Sequence, residues 1–293
     1  MLPTETMFGF LNVYKPTGMT SHDVIAILRR VTKIKQIGHT GTLDPFAEGV
    51  LSVCIGKATR LIEYLDDDKE YLARVVFGRS TDTYDLDGQT AVEYEKKATL
   101  DEVVEGLKQF EGEVSQTPPI YSALKVNGKK LYEYARSGEE VAIASRKVTI
   151  EKIELKSFDE QNQIADVLIK CSKGTYIRSI AHDLGQNLGV GGYLSKLVRT
   201  QAGKFLVEDA TMLEEFKTSE AVGEKLINPL NMLGFEQIIL IEDEYNKILN
   251  GQALENKKNN TDGTFVVLTW EDKICAMAQV DGRQLKIKKV FAA

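Results

Sequence analysis

Residues Gly38-His39-Thr40-Gly41-Thr42-Leu43-Asp44-Pro45 fit neither a regular helix nor a regular strand, because two glycines, two threonines and a proline make a rigid, turn-rich loop. The apolar run VLSVCIG follows shortly and reads as a buried strand. Any fold of this chain must therefore hold a stiff loop against a core strand, and that loop fixes one carboxylate, Asp44. Loops held by a rigid scaffold are where catalytic groups tend to lie. Taken alone, an aspartate before a proline is a common turn element that binds backbone amides.

The rest of the first 235 residues mixes helix and strand signals. SHDVIAILRRV sets Val24, Ile27, Leu28 and Val31 on one helical face, with Ser21 available as N-cap. TLDEVVEGLKQF opens with a Thr99-x-x-Glu102 capping box. YLARVVFG, RKVTIEKIEL and QIADVLIKC are β-branched and partly alternating, and they read as strands. These elements do not alternate as regular βαβ units, so the expected class is α+β, with a mixed, largely antiparallel central sheet and flanking helices. After Pro229 the character changes: EDEYNKILNGQAL predicts a short helix, and TFVVLTW, KICAMAQV and QLKIKKVF predict three strands joined by tight turns. The expected division is 1–235 and 236–293, the second unit being too small to be very stable unless it packs on the first.

Composition narrows the chemistry. A chain of 293 residues that is 43% hydrophobic and 27% charged is an ordinary globular protein, and no apolar run approaches a membrane span. MLPTETMFGFLNVYKP has no basic flank before its short apolar stretch, so a secretory leader is not expected and the expected compartment is cytoplasmic. The net charge of −6 hides segments of net +3 (1–60), −9 (61–120), +5 (121–204) and −5 (205–293). Two basic stretches flanking an acidic one allow a face that attracts a polyanion. Cys54, Cys171 and Cys275 read as buried reduced thiols, and His22, His39 and His182 lack metal-ligand spacing, so no metal site is expected. Gly56-Lys57-Ala58-Thr59 lacks the earlier glycine of a phosphate loop, since position 51 is leucine. Gly189-Val190-Gly191-Gly192 reads as a helix end rather than a dinucleotide fingerprint.

Three further segments gain meaning beside Asp44. Lys15-Pro16-Thr17-Gly18-Met19-Thr20-Ser21 is a second rigid turn. Lys69-Glu70-Tyr71 begins a strand, and Lys173-Gly174-Thr175-Tyr176-Ile177-Arg178 leaves a strand for a helix. An arginine near a helix N-terminus opposes the helix dipole and suggests an anionic neighbour. One carboxylate, one arginine and stacking rings make a pocket suited to a planar base.

KPTGMTS, GHTGTLDPFAEGVL, KEYLARVVFGRSTDTYDLDG, PPIYSALKVNGKKLYEYAR and CSKGTYIRSIAHDLG occur in that order. In order and spacing they closely resemble the TruB family of pseudouridine synthases. The resemblance covers nearly the whole chain, and residues 236–293 are more loosely similar to a PUA-like RNA-binding tail.

The resemblance implies an isomerase without cofactor, acting on uridine-55 in the T-loop of tRNA. The N1–C1′ bond of the uridine breaks, the base turns, and it is rejoined through C5. It implies Asp44 as the catalytic carboxylate, Arg178 as the arginine that pairs with it and keeps it ionised, and Tyr71 as the ring that stacks on the base and handles a proton. It places His39 where the nucleotide leaves the T-loop, Tyr176 and Leu197 against the extracted uracil, and Lys15 with Pro16 in support of the catalytic loop. Base extrusion costs a few kcal/mol, which apolar and aromatic walls partly recover. Lys125, Lys129, Lys130, Arg146, Lys147 and Arg199 are expected to grip the RNA backbone. The expected partner is the tRNA T-arm, with no obligate protein partner and a monomeric enzyme. The main alternative is a non-catalytic tRNA-binding or folding protein on the same scaffold. A carboxylate glycosidase would need a second acid opposite Asp44, and nothing in the sequence singles one out.

Overall fold

The computed structural model describes residues 7–291; the first six residues of the stretch read for a leader lie outside that range. The chain enters through β1 (Gly9–Lys15) and α1 (Ser21–Thr32), then β2 (Ile37–His39) and β3 (Glu48–Ile55) on either side of the glycine-threonine loop. Next come β4 (Lys69–Phe77), α2 (Leu100–Lys108), β5 (Gly112–Gln116), β6 (Arg146–Asp159), β7 (Ile164–Cys171), α3 (Ile177–Leu188) and β8 (Gly192–Ala202), and β9 (Thr211–Met212) reaches the sheet edge.

These strands form one ten-stranded sheet in the order β9-β1-β3-β8-β4-β7-β6-β5, with β2 on β3 and Phe205–Leu206 on β8. Only β1·β9 and β3·β8 are parallel, so the expected mixed, largely antiparallel sheet is the one found. The parallel pairing of β3 with β8 is what matters for function, because it brings residues about 150 positions apart to the same place.

Local chemistry sets the element ends. Ser21, expected as N-cap, is instead the first helical residue. Thr20 takes the cap in extended geometry, its hydroxyl accepting from Asp23 N at 3.1 Å while Asp23 accepts from Thr20 N at 2.8 Å. That capping box frees the Ser21 hydroxyl for the loop. The Thr99–Glu102 capping box forms as expected. In β4 the residues Tyr71, Ala73, Val75 and Phe77 alternate with more exposed ones and face α2 and α3, where Val103, Leu107, Ile177, Ile180 and Leu184 complete the core. Further along the same face, α1 lays Val24, Ile25 and Leu28 on Leu11, Val13, Leu51 and Val53.

The C-terminal part contains β10 (Glu236–Ile239), α4 (Glu242–Leu249), β11 (Leu254–Glu255), β12 (Phe265–Trp270), β13 (Lys273–Asp281) and β14 (Gln284–Val290). Its five strands run in the order β10-β12-β13-β14-β11. One face packs on the first sheet: Val267, Ile274, Met277 and Phe291 meet Phe10, Val50, Ala58, Leu61 and Phe205. Arg60 Nη1 and Lys57 Nζ donate to the carbonyls of Val290 and Phe291 at 2.8 and 3.2 Å, which fastens the chain end to the larger body. A sheet this small gains its stability from that shared core. No helix among the described residues is long and apolar enough to cross a membrane.

Candidate active site

The loop between β2 and β3 is tied down at almost every turn. Thr40 N donates to the Ser52 carbonyl at 3.0 Å, and the Ser21 hydroxyl accepts from Leu43 N at 2.8 Å and donates back to its carbonyl at 3.1 Å. The second rigid turn acts as a buttress: Gly18 N donates to the Pro45 carbonyl at 2.8 Å. Beneath both, the fully buried Lys15 donates to the carbonyls of Pro16 at 2.8 Å, Met19 at 2.7 Å and Pro45 at 3.4 Å. Burial pulls its ammonium down to about 8, an effect only partly opposed by Asp44. Lys15 thus acts on the loop from below and does not line the cavity.

Asp44 stands at the edge of a cavity of about 340 Å³. Arg178, in the first turn of α3, meets it with Nε 3.0 Å from Oδ2, and Nη2 donates to Oδ1 at 3.3 Å. The arginine side chain is 5% exposed and the aspartate 35%, so the pair is open to the cavity on its acid side only. The remaining guanidinium hydrogens are spent on the carbonyls of Thr83 and Tyr121 at 3.1 and 3.0 Å and on Asp85 Oδ2 at 3.2 Å. The anionic neighbour that the helix dipole called for is thus double, Asp44 and Asp85. Burial raises the pKa of Asp85, against the pull of Thr83 and Arg178, and Asp85 does not line the cavity.

Two aromatic rings wall the space. Tyr71 is buried at the start of β4, and burial raises its phenol pKa while the nearby Arg199 lowers it. Tyr176 is clamped by Gln116, whose Oε1 accepts from Tyr176 N at 2.8 Å and whose Nε2 donates to its carbonyl at 2.9 Å. The Arg146 guanidinium lies 4.8 Å from the Tyr176 ring centroid, a cation–π arrangement. Leu197 supplies an aliphatic wall opposite Ala73 in the β4·β8 register. His39 closes β2 at the mouth of the loop but does not line the cavity, and burial lowers its pKa.

The fold therefore gathers Asp44, Arg178, Tyr71, Tyr176 and Leu197 around one cavity and leaves His39 and Lys15 behind the loop. Arg199 corrects the sequence reading. It is fully buried, with Nε donating to the Val50 carbonyl at 2.7 Å and Nη2 to the Gly41 carbonyl at 3.1 Å, so it does not grip RNA. The two-residue spacing from Leu197 along a strand was the available signal, since it puts both side chains on one face. Arg146 lines the cavity rather than an outer surface, and Lys69 joins it there without having been singled out for its charge. Asp85 had no separate signal, being one of three aspartates in TDTYDLDG. No cluster of side chains suited to a metal ion occurs among the described residues.

Comparison with known proteins identifies the family. Residues 29–177 match the family model for the TruB family pseudouridylate synthase N-terminal domain, and 178–233 match that for the tRNA pseudouridylate synthase B C-terminal domain. A protein of Caldanaerobacter subterraneus subsp. tengcongensis named tRNA pseudouridine synthase B is 43% identical over 97% of this chain and 99% of its own length. Its namesake from Carboxydothermus hydrogenoformans is 42% identical with the same coverage. Among solved structures, a Cbf5-Nop10-Gar1 complex superposes with a TM-score of 0.70 at 24% identity, covering 99% of this chain and 87% of that one, a likeness of fold. With both family models and full-length relatives converging on the segments that build the cavity, the chain belongs to the TruB family of pseudouridylate synthases.

Proposed function

We propose that this protein converts uridine-55 in the T-loop of tRNA to pseudouridine, using no cofactor. The observation that carries the reading is the Asp44–Arg178 pair opening into a cavity walled by Tyr71, Tyr176 and Leu197. About 340 Å³ suits a single extruded nucleotide rather than a stacked helix. Arg178 holds the Asp44 carboxylate at the cavity edge, oriented toward the ribose, where cleavage of N1–C1′ needs negative charge. Tyr71 stacks on the base and handles a proton, and Tyr176 and Leu197 hold the uracil while it turns. His39 guides the strand at the loop mouth, and Lys15 keeps the loop in place.

Phosphate contacts come from the segment that borders the cavity. Ser122, Ala123 and Leu124 line it, and the hairpin Lys125–Val126 with Lys129–Lys130 follows directly. Recognition of the T-arm by shape fits such backbone contacts. We take 1–235 as the synthase unit and 236–293 as a PUA-like RNA-binding module, in a cytoplasmic monomer whose cysteines Cys54, Cys171 and Cys275 are free and buried.

The intact acid–arginine pair favours an enzyme over a protein that only binds and refolds tRNA. Asp85 stands on the far side of Arg178 and outside the cavity lining, so it does not furnish the opposed second acid of a glycosidase. The test is incubation with unmodified tRNA transcript, followed by carbodiimide mapping and tritium release from C5. One new pseudouridine in the T-loop is expected, and an unmodified T-loop would overturn the reading.

A further inference from the structure

One buried cation has no part in the chemistry above. Arg199 is fully buried, and among the described residues no carboxylate pairs with it. Two of its three nitrogens are satisfied by the Val50 and Gly41 carbonyls, whereas Nη1 is buried without a hydrogen-bond partner. A desolvated donor left unused is costly, so its survival marks a place where an acceptor arrives.

The sheet register identifies that acceptor. Arg199 lies directly opposite Tyr71 across the β4·β8 pair, two residues along from Leu197 opposite Ala73 and on the same face, and the guanidinium lies beside the Tyr71 hydroxyl. Gly41 keeps the space open: a Cβ there would lie 3.6 Å from Nη1 and 3.1 Å from Lys69 Cε. Hydrogen bonds of this kind are often long in an empty site and close only in the substrate complex.

We propose that Arg199 is the positioning residue of Tyr71: with RNA bound, Nη1 donates to the phenol oxygen, fixes it at the cavity wall and turns the phenol hydrogen toward the uracil. The direction follows from donor inventory. A guanidinium carries five hydrogens and no acceptor, so the phenol hydrogen has no partner on the arginine side and points into the cavity. Because Nη2 holds the Gly41 carbonyl, one side chain sets the loop of Asp44 and the ring of Tyr71 in a common frame. Lysine keeps the charge but lacks the planar fork that reaches three acceptors at once.

The inference rests on the proposed role of Tyr71, and its test separates the two. Arg199→Lys should slow single-turnover pseudouridine formation about 10- to 100-fold with tRNA affinity nearly unchanged. In a Tyr71→Phe background the same change should cost less than about twofold, because the acceptor is already gone. An arginine that only buttresses the loop would give equal losses in both backgrounds, and that result, or an unchanged rate, overturns the proposal. A second readout needs no turnover: with ¹³Cζ-tyrosine, the Tyr71 phenol should titrate at higher pH in Arg199→Met than in the parent protein. An unmoved titration overturns the contact even if the RNA substrate proves different. If the Arg199 variants unfold, the near-isosteric Tyr71→Phe is read instead. Loss of the phenol oxygen should move the Arg199 ¹⁵Nη signal of the RNA-bound protein, and an unmoved signal overturns the proposal.

Discussion

The two sheets of this molecule treat charge in opposite ways. Around and beneath the cavity, Lys15, Arg178 and Arg199 are buried and held mostly by backbone carbonyls, and Asp85 is buried against the donors of Thr83, Asp87 and Arg178. In the C-terminal sheet the buried residues are almost all apolar, and the charges stay at the surface in pairs such as Lys258–Glu236 at 3.0 Å and Lys257–Glu244 at 2.6 Å. Exposed pairs contribute little, because water already solvates both partners. Buried ions lose that solvation and persist only where good geometry compensates. Charge is thus a surface property in the small module and part of the framework of the site in the large one.

The sharpest way to break this contrast is Asp44→Asn, which removes a charge with hardly a change of shape. Pseudouridine formation should fall by at least about 10³-fold while tRNA affinity holds. Appreciable turnover by this variant in the tritium-release assay would remove Asp44 from the chemistry. Tyr71→Phe comes next, with an expected loss of about 10²-fold or more in product formation and normal binding. Near-normal turnover there would leave stacking in place and take the hydroxyl out of the mechanism.

The framework can be probed without RNA. Lys15→Met leaves three carbonyls without their donor and should cost about 2–4 kcal/mol in urea unfolding. The pH dependence carries a sign. With its ammonium at about 8 in the fold and 10.5 in the open chain, the unfolded state binds the extra proton between those values. The contribution of Lys15 therefore makes stability rise with pH from about 8 to 10.5, and Lys15→Met should lose that rise. Identical pH slopes for the two proteins would show that the ammonium is not desolvated.

Smaller effects lie at the surface. Replacing Lys129 and Lys130 together by alanine should flatten the slope of log affinity against log salt by about 0.7–0.9 per lost phosphate contact, leaving the choice of uridine unchanged. An unaltered slope would place this hairpin away from the RNA. Lys258→Met should shift unfolding by less than about 0.5 kcal/mol. A cost comparable with that of Lys15→Met would erase the contrast between the two sheets.

Much of this organisation was legible in the chain. The glycine-threonine loop, the β-branched strands, the Thr99–Glu102 box and the C-terminal helix-and-strand pattern are local, because backbone preference and side-chain period act over a few residues. The family resemblance also named Asp44, Tyr71, Arg178, Tyr176 and Leu197, the first four within its motifs, and the fold gathers all five round one cavity. The N-cap lies one position before Ser21, since Thr20 and Ser21 are both cap-forming residue types and only the backbone at Thr20 settles which one acts.

Arg199 marks the limit of that local reading. As a letter it is one more cation in a basic segment, and a surface grip on phosphate was the natural inference. Its burial follows from β8 pairing with β4 on one side and with β3 on the other, which seals the guanidinium between Tyr71, Gly41 and Val50. Asp85 is similar: one aspartate among three until the loop that carries it meets Arg178. Residues along the chain settle the elements, the rigid loop and the motifs whose side chains come to line the cavity, because those depend on sequence neighbours. Only the tertiary structure decided which charges lose their water and whom they face, because desolvation and pairing depend on neighbours across the sheet.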